Sequence, residues 1–161
     1  MKIFQNKAKI VAVSKIVRSI LFAGLVFWIL GILISLVDLI VPICFLSKDT
    51  LYSSTTFTLG WMALLASLGL IINLKLFRFF GRLKNGYLFD AQTVGYLDSA
   101  GKWWILFWLC EGLLVEIRYQ VFQLKMMTWD SGGLFAGLIL IFVAWLLKEA
   151  QELQEEQALT V

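Results

Sequence analysis

Histidine is absent from the chain, proline occurs once and cysteine twice. Without histidine there is no HExxH zinc-protease motif, no Ser-His-Asp triad and no His-ligated haem. Cys44 and Cys110 fall at one end of the first apolar run and midway along the third. That layout gives them no disulfide, and two thiols do not make a metal site. Charge is also scarce: 16% of residues are charged, against roughly 25% in soluble domains. No strand pattern is present, so no glycine-rich phosphate loop follows a strand. These absences leave enzymatic function with little support and predict no cofactor and no metal. Direct nucleic-acid binding is not expected either.

Apolar and aromatic residues take up what is missing. Of 161 residues, 60% are hydrophobic, with thirteen Phe and seven Trp, and the mean hydropathy is +0.84. A disordered chain, a coiled coil and an ordinary soluble enzyme are excluded. The length fits one domain, here a single membrane domain over 1–161.

A membrane-crossing helix needs about 20 mostly apolar residues for ~30 Å of hydrocarbon. Four segments meet or approach this: 20–42, 56–76, 103–123 and 132–147. The reading is therefore all-α, a polytopic four-transmembrane-helix bundle. The first run exceeds the roughly 7–15 residues of a signal-peptide core, and no Ala-x-Ala-like site follows it, so it reads as a retained span. Lys2, Lys7, Lys9, Lys15 and Arg18 precede it, and Lys75, Arg78, Arg82, Lys84 and Lys102 surround the connection at 77–101. Only Lys48 and Lys125 lie in the other two connections. By the positive-inside rule the N-terminus, the 77–101 loop and the C-terminus are cytoplasmic. The third span is the costly one. Glu111, Glu116 and Arg118 at about 2.5–3.5 kcal/mol each would cost roughly 8–10 kcal/mol at the bilayer centre, so it inserts only if its neighbours shelter it. A re-entrant or surface-lying third helix is the alternative.

Residues 1–19 read either as a basic amphipathic entry helix on the anionic leaflet or as the positive flank that orients span one. Asn85-Gly86 is a strong turn pair, and Asp90 suits the N-cap of a helix beginning at Ala91 that runs on into span three. Trp61, Trp103, Trp104, Trp129 and Trp145 lie near span ends, as an aromatic belt does. Residues 148–157 hold four Glu and one Lys among strong helix formers, so span four continues as an acidic helical tail over 148–161. Arg78, Arg82 and Lys84 of the loop, with Glu152, Glu155 and Glu156 of the tail, are the candidate partner-binding residues.

Two stretches carry a resemblance. One runs from Leu76-Phe77-Arg78-Phe79-Phe80-Gly81 through Asn85-Gly86-Tyr87-Leu88-Phe89-Asp90 to Ser99-Ala100-Gly101: a Gly, a Phe shortly after it, a short helix and a second Gly. The other is the ending Leu153-Gln154-Glu155-Glu156-Gln157-Ala158-Leu159-Thr160-Val161. Both resemble the domain of unknown function 2975 (DUF2975) family of bacterial integral membrane proteins, with Ala150 standing where members often have Gly. The resemblance implies a four-span protein of the bacterial cytoplasmic (inner) membrane. It also implies partnership with a small helix-turn-helix regulator, because members are often encoded beside one. It carries over no site residues, since the family's activity is unknown.

Ionisable residues inside a membrane are functional candidates by default. Trp104, Glu111 and Arg118 share one face of span three, while Glu116, Gln120 and Gln123 form a second stripe. Depth pairs Asp38 of span one with Arg118, and sets Asn73 of span two near Glu111. Gly31 and Ser35, and Gly133 and Gly137, are small-xxx-small pairs that permit close helix approach, within the bundle or between copies. These polar groups fix helix register, line an ion or proton pathway, or form a ligand or lipid pocket. Three functions follow: a non-enzymatic membrane regulator or sensor that binds a cytoplasmic protein, a homo-oligomeric channel or small transporter, and a lipid-interacting structural protein.

Overall fold

The computed structural model describes residues 2–45, 54–85, 87, 90–122 and 131–159. They form four helices: α1 (Lys2–Phe45), α2 (Ser54–Lys84), α3 (Ala91–Phe122) and α4 (Gly132–Leu159). Three contain segments long and apolar enough to cross a membrane, Lys9–Val37, Thr58–Lys84 and Gly132–Gln157. The exception is α3, in which Asp98, Lys102, Glu111, Glu116 and Arg118 dilute the apolar content. The entry segment 1–19 and span one are not separate elements, because one helix of 44 residues covers both. At ~1.5 Å per residue it is about 66 Å long, twice the hydrocarbon thickness. The acidic tail continues α4 without a break, as its helix formers lead one to expect.

Consecutive helices pack antiparallel, α1 on α2, α2 on α3 and α3 on α4. α1 also reaches α3, where Trp28 meets Phe107 edge to face at 6.3 Å between ring centroids. The start of α1, the end of α2, the start of α3 and the end of α4 therefore share one end, the α2–α3 end. There Phe79, Leu83, Val94, Leu97 and Ala144 form the buried core, with Leu76, Phe80, Tyr96, Leu140 and Leu147 packed around it. Along the middle of α1 and the first half of α4 the outward faces are apolar: Ile20, Phe27 and Ile34 on α1, and Phe135, Ile139 and Phe142 on α4, are exposed. Contiguous apolar faces of this extent suit lipid rather than water.

α3 and α4 each start after a short polar residue. The Asp90 carbonyl accepts from the Val94 N–H at 3.1 Å, opening α3, and the Ser131 carbonyl accepts from the Leu134 N–H at 3.1 Å, opening α4. These are the first intrahelical bonds an N-cap residue makes. α2 ends where the Arg82 carbonyl accepts from both Asn85 and Tyr87 N–H groups.

Glycines set the helix spacing. A Cβ on Gly101 would lie 2.9 Å from the Gly137 carbonyl oxygen, and one on Gly137 would lie 2.7 Å from Ile105 Cγ1. A Cβ on Gly133 would meet Trp108 at 2.6 Å. The Gly133/Gly137 pair thus works inside the chain, joining α4 to α3. Gly31 has nothing within 4 Å of its Cβ position, so the Gly31/Ser35 pair makes no such crossing among the described residues.

This contrast is testable. Gly101→Val should cost about 1–3 kcal/mol, the usual penalty for overpacking a tight contact. Gly31→Ala should be neutral, or stabilising by up to ~1 kcal/mol through helix propensity. Thermal unfolding of both variants in detergent, followed by near-ultraviolet circular dichroism, checks it. Equal melting of Gly101→Val and the parent would remove the glycine crossing as the α3–α4 clamp.

Candidate functional site

The α2–α3 end concentrates the chain's ordered polar chemistry. Arg82, in the last turn of α2, turns inward. Its Nη2 pairs with the Asp90 carboxylate, its Nε donates to Thr93 Oγ1 at 3.1 Å, and its guanidinium lies over the Tyr87 ring at 5.2 Å. Thr93 is fully buried, and its hydroxyl also donates to the Tyr87 carbonyl at 2.9 Å. One hydroxyl thus accepts from the guanidinium and donates to the loop backbone, so the short α2–α3 connection is tied at both its ends. Arg82 holds the loop to the bundle rather than presenting its charge outward.

The other loop and tail candidates lie around this knot. Arg78 is exposed on α2 and Lys84 is half-buried. Lys84 joins Lys15, Arg18, Phe22 and Phe77 around a basic hollow of about 450 Å³ between α1 and α2. Arg18 sits over the Phe77 ring at 4.5 Å, the usual stacking of a guanidinium on an aromatic face. On the other side, α4 lies along the start of α3. Glu152 and Glu155 with Asp98, Lys148 and Gln151 rim a groove of about 360 Å³ whose floor is Ala91, Val94 and Gly95. Lys148 reaches Glu152 at 3.6 Å and Lys102 reaches Asp98 at 2.7 Å. Glu156 is exposed one position further on. The end is therefore bipolar, a basic hollow on the α1–α2 side and an acidic groove on the α3–α4 side.

The intramembrane candidates do not gather into one site. Glu116 and Gln120 are both exposed and bond each other, Gln120 Nε2 donating to Glu116 Oε1 at 2.8 Å. Glu111 is half-buried. The side chains of Asp38 and Arg118, and all of Gln123, lie outside the described residues, as does the pairing of Asp38 with Arg118. Asn73 is buried, 8% exposed, and it lines a cavity with Trp104 and Phe107 of α3. That sets it about a turn from Glu111, and no bond joins the two among the described residues. One turn beyond Phe107, the Trp61 indole N–H of α2 donates to the Cys110 carbonyl at 3.2 Å. Among the described residues no three His, Cys, Asp or Glu side chains come together as a metal site.

Sequence reasoning missed Thr93, Gly24 and Gly69. A threonine three positions after a candidate N-cap Asp was the available clue to the first. Gly24 faces Asn73, whose Nδ2 would lie 2.5 Å from a Cβ there, and Gly69 faces the Trp28 ring at 2.6 Å. A small residue opposite each bulky or polar one is legible only when helix register is known. No protein-family model matches the chain, and no curated protein or solved structure matches it.

Thr93→Val keeps the shape of the side chain and removes both of its hydrogen bonds. It should cost about 1–3 kcal/mol, because the Arg82 and Tyr87 groups lose a buried partner. Backbone amides from Asn85 to Val94 should exchange roughly tenfold faster or more, with α4 amides near 140 unchanged. Hydrogen-exchange mass spectrometry reads both regions, and an unaltered loop would show that Thr93 does not tie it.

Proposed function

We propose that the chain is a multi-pass protein of the bacterial cytoplasmic membrane and a non-enzymatic regulatory or sensing partner of a cytoplasmic protein, docked at the α2–α3 end. The observation that carries this reading is the construction of that end. Its core of Phe79, Leu83, Val94, Leu97 and Ala144 and its Arg82 knot make a rigid platform. Its rim offers charge of both signs in separate patches. Fixed and separated charges suit partner selection and orientation more than raw affinity. The acidic groove has an apolar floor and three carboxylates at its rim, which suits a basic helix. A small helix-turn-helix regulator, basic because it binds nucleic acid, is the partner class that the likeness to the DUF2975 family suggests.

Four spans with both termini in the cytoplasm belong to the same reading. α3 runs antiparallel between α2 and α4, fastened by Gly101, Gly133 and Gly137 on one side and by the Trp61–Cys110 bond on the other. A helix clasped in this way crosses with its neighbours despite its charges. A protease-accessibility assay on a C-terminal tag reads the topology: digestion in inside-out vesicles and protection in right-side-out ones is the expected result. The opposite pattern would leave three crossings.

Docking is tested by exchanging Glu152, Glu155 and Glu156 for Lys in the full chain. The parent chain, purified from cross-linked native membranes, should bring down one cytoplasmic protein in near-stoichiometric amount. The triple variant should lose at least nine-tenths of it, and so should the parent when the cross-linking is done at high salt, where screening shortens the reach of the groove. Equal recovery with both chains would reject the groove as the docking face.

A second reading draws on the exposed Glu116–Gln120 pair. A polar pair on an outward face, within about two turns of the end of α3, is satisfied by lipid headgroups or by a second copy of the chain. A homo-oligomeric channel would use the latter. Ion flux into proteoliposomes should then fall severalfold with Glu116→Gln and with Glu111→Gln. Flux no greater than in empty vesicles discards the channel.

A further inference from the structure

The basic hollow between α1 and α2 is built from two facing stripes. Lys15, Arg18, Ser19 and Phe22 share one face of α1, and Phe77 and Lys84 share one face of α2. Because the helices run antiparallel, Lys15 and Lys84 stand nearer the α2–α3 end, and Phe22 and Phe77 nearer the middle of the bundle. Arg18 lies between these levels. Its guanidinium covers the Phe77 ring, and its Cζ would lie 3.9 Å from a Cβ on Gly81, so it rests along α2. A guanidinium that stacks by its face keeps N–H edges for an acceptor. The ion pairs among the described residues engage Arg82, Lys102 and Lys148, and no carboxylate there meets Lys15, Arg18 or Lys84. Three cations thus share one hollow of about 450 Å³ and repel one another unless an anion enters.

What the hollow adjoins decides the kind of anion. Its α1 cations lie just before the first apolar run, which opens at Ile20. From Phe22 an exposed apolar stripe of Phe22, Val26, Ile29 and Leu33 continues along the same face of α1. A soluble anion or an acidic peptide would meet the cations and leave that stripe unused. A phospholipid uses both, with its phosphate among the cations and an acyl chain along the stripe. Basic pockets between membrane helices on the cytoplasmic side hold anionic headgroups in this way. We propose that the hollow is a binding site for one anionic phospholipid of the inner leaflet. Arg18 donates to the phosphodiester from its guanidinium edge, and Lys15 and Lys84 meet it as point charges. Phe22 and Phe77 receive the first methylenes of the acyl chains. The lipid fills the basic side of this end and leaves the acidic groove to a protein. The inference rests on the membrane-crossing reading given above and not on the docking of a partner.

Native mass spectrometry of the delipidated full-length protein in detergent counts bound lipids directly. Phosphatidylglycerol should saturate a single site and bind about tenfold more tightly than phosphatidylcholine with the same acyl chains, whose choline cancels the phosphate charge. Arg18→Gln combined with Lys84→Gln should weaken that site roughly thirtyfold. Lys9→Gln combined with Lys102→Gln removes the same charge outside the hollow and should leave binding unchanged. Glycerol 3-phosphate, which has the headgroup chemistry without acyl chains, should not displace the lipid at millimolar concentration. Equal binding of the two lipids overturns the proposal. Displacement by glycerol 3-phosphate also overturns it, because the hollow is then a site for a soluble anion. Equal weakening by the two pairs of substitutions reduces the preference to net charge and overturns it as well. The lipid comparison and the displacement use the parent chain alone, so they decide whether or not a variant folds. An inverted topology or a missing partner is read in the protease and cross-linking assays and leaves this lipid count unchanged.

Discussion

The structure depends on backbone contact between α3 and α4. In lipid the hydrophobic effect gives helices no reason to associate, so packing and polar contacts must do it. Gly101 and Gly137 meet across this pair, Gly133 receives the Trp108 ring, and a single added carbon at Gly101 would touch the Gly137 carbonyl. Close approach lets α3, the least apolar of the four helices, lie against an apolar neighbour over several turns. The tryptophan bond to the Cys110 carbonyl fastens its other side. Without that clamp the charged α3 would lose its seat between α2 and α4, and the order of the bundle would change.

The same spacing makes the α2–α3 end possible. Ala144 packs against Val94 and Leu97 only because α4 comes so near to α3, and that contact seats the start of α3. Thr93 is then buried where it can accept from Arg82 while donating to Tyr87. The ion pair between Arg82 and Asp90 is partly exposed, with side chains 30% and 38% accessible. Its Coulomb energy is accordingly modest, and the knot owes more to the dry hydroxyl beneath it. A loop held by buried hydrogen bonds presents its neighbours, Arg78 and Lys84, in fixed positions.

The helices were legible in the sequence because apolar run length and basic clustering are one-dimensional properties. Asp90 and the helix formers beyond Leu147 marked the start of α3 and the continuation of α4 for the same reason. What pairs with what was not legible. The Gly133/Gly137 spacing announced a close approach, but the equally good Gly31/Ser35 spacing makes none among the described residues, and Gly101, which completes the crossing, had no small partner four residues away in its own helix. Arg82 read as a surface cation because its partners, Asp90 and Thr93, lie across a turn whose geometry the composition does not specify. Glu116 and Gln120 read as one stripe of span three but not as an outward one, since helical periodicity groups residues on a face without saying which way that face looks.

Asn73 shows why such pairings resist one-dimensional reading. An amide in the apolar part of α2 is costly wherever it points, and a leucine there would be cheaper by propensity and by transfer. Its accommodation commits a second position, because any side chain at Gly24 would collide with its amide nitrogen. It also stands beside Gly69, where the Trp28 ring leans on bare backbone. A polar group, a glycine that makes room for it and an indole resting on a second glycine together keep the space between α1, α2 and α3 from closing. The fit of α1 on α2 in this stretch is therefore set by two glycines, Gly24 facing an amide and Gly69 facing an indole.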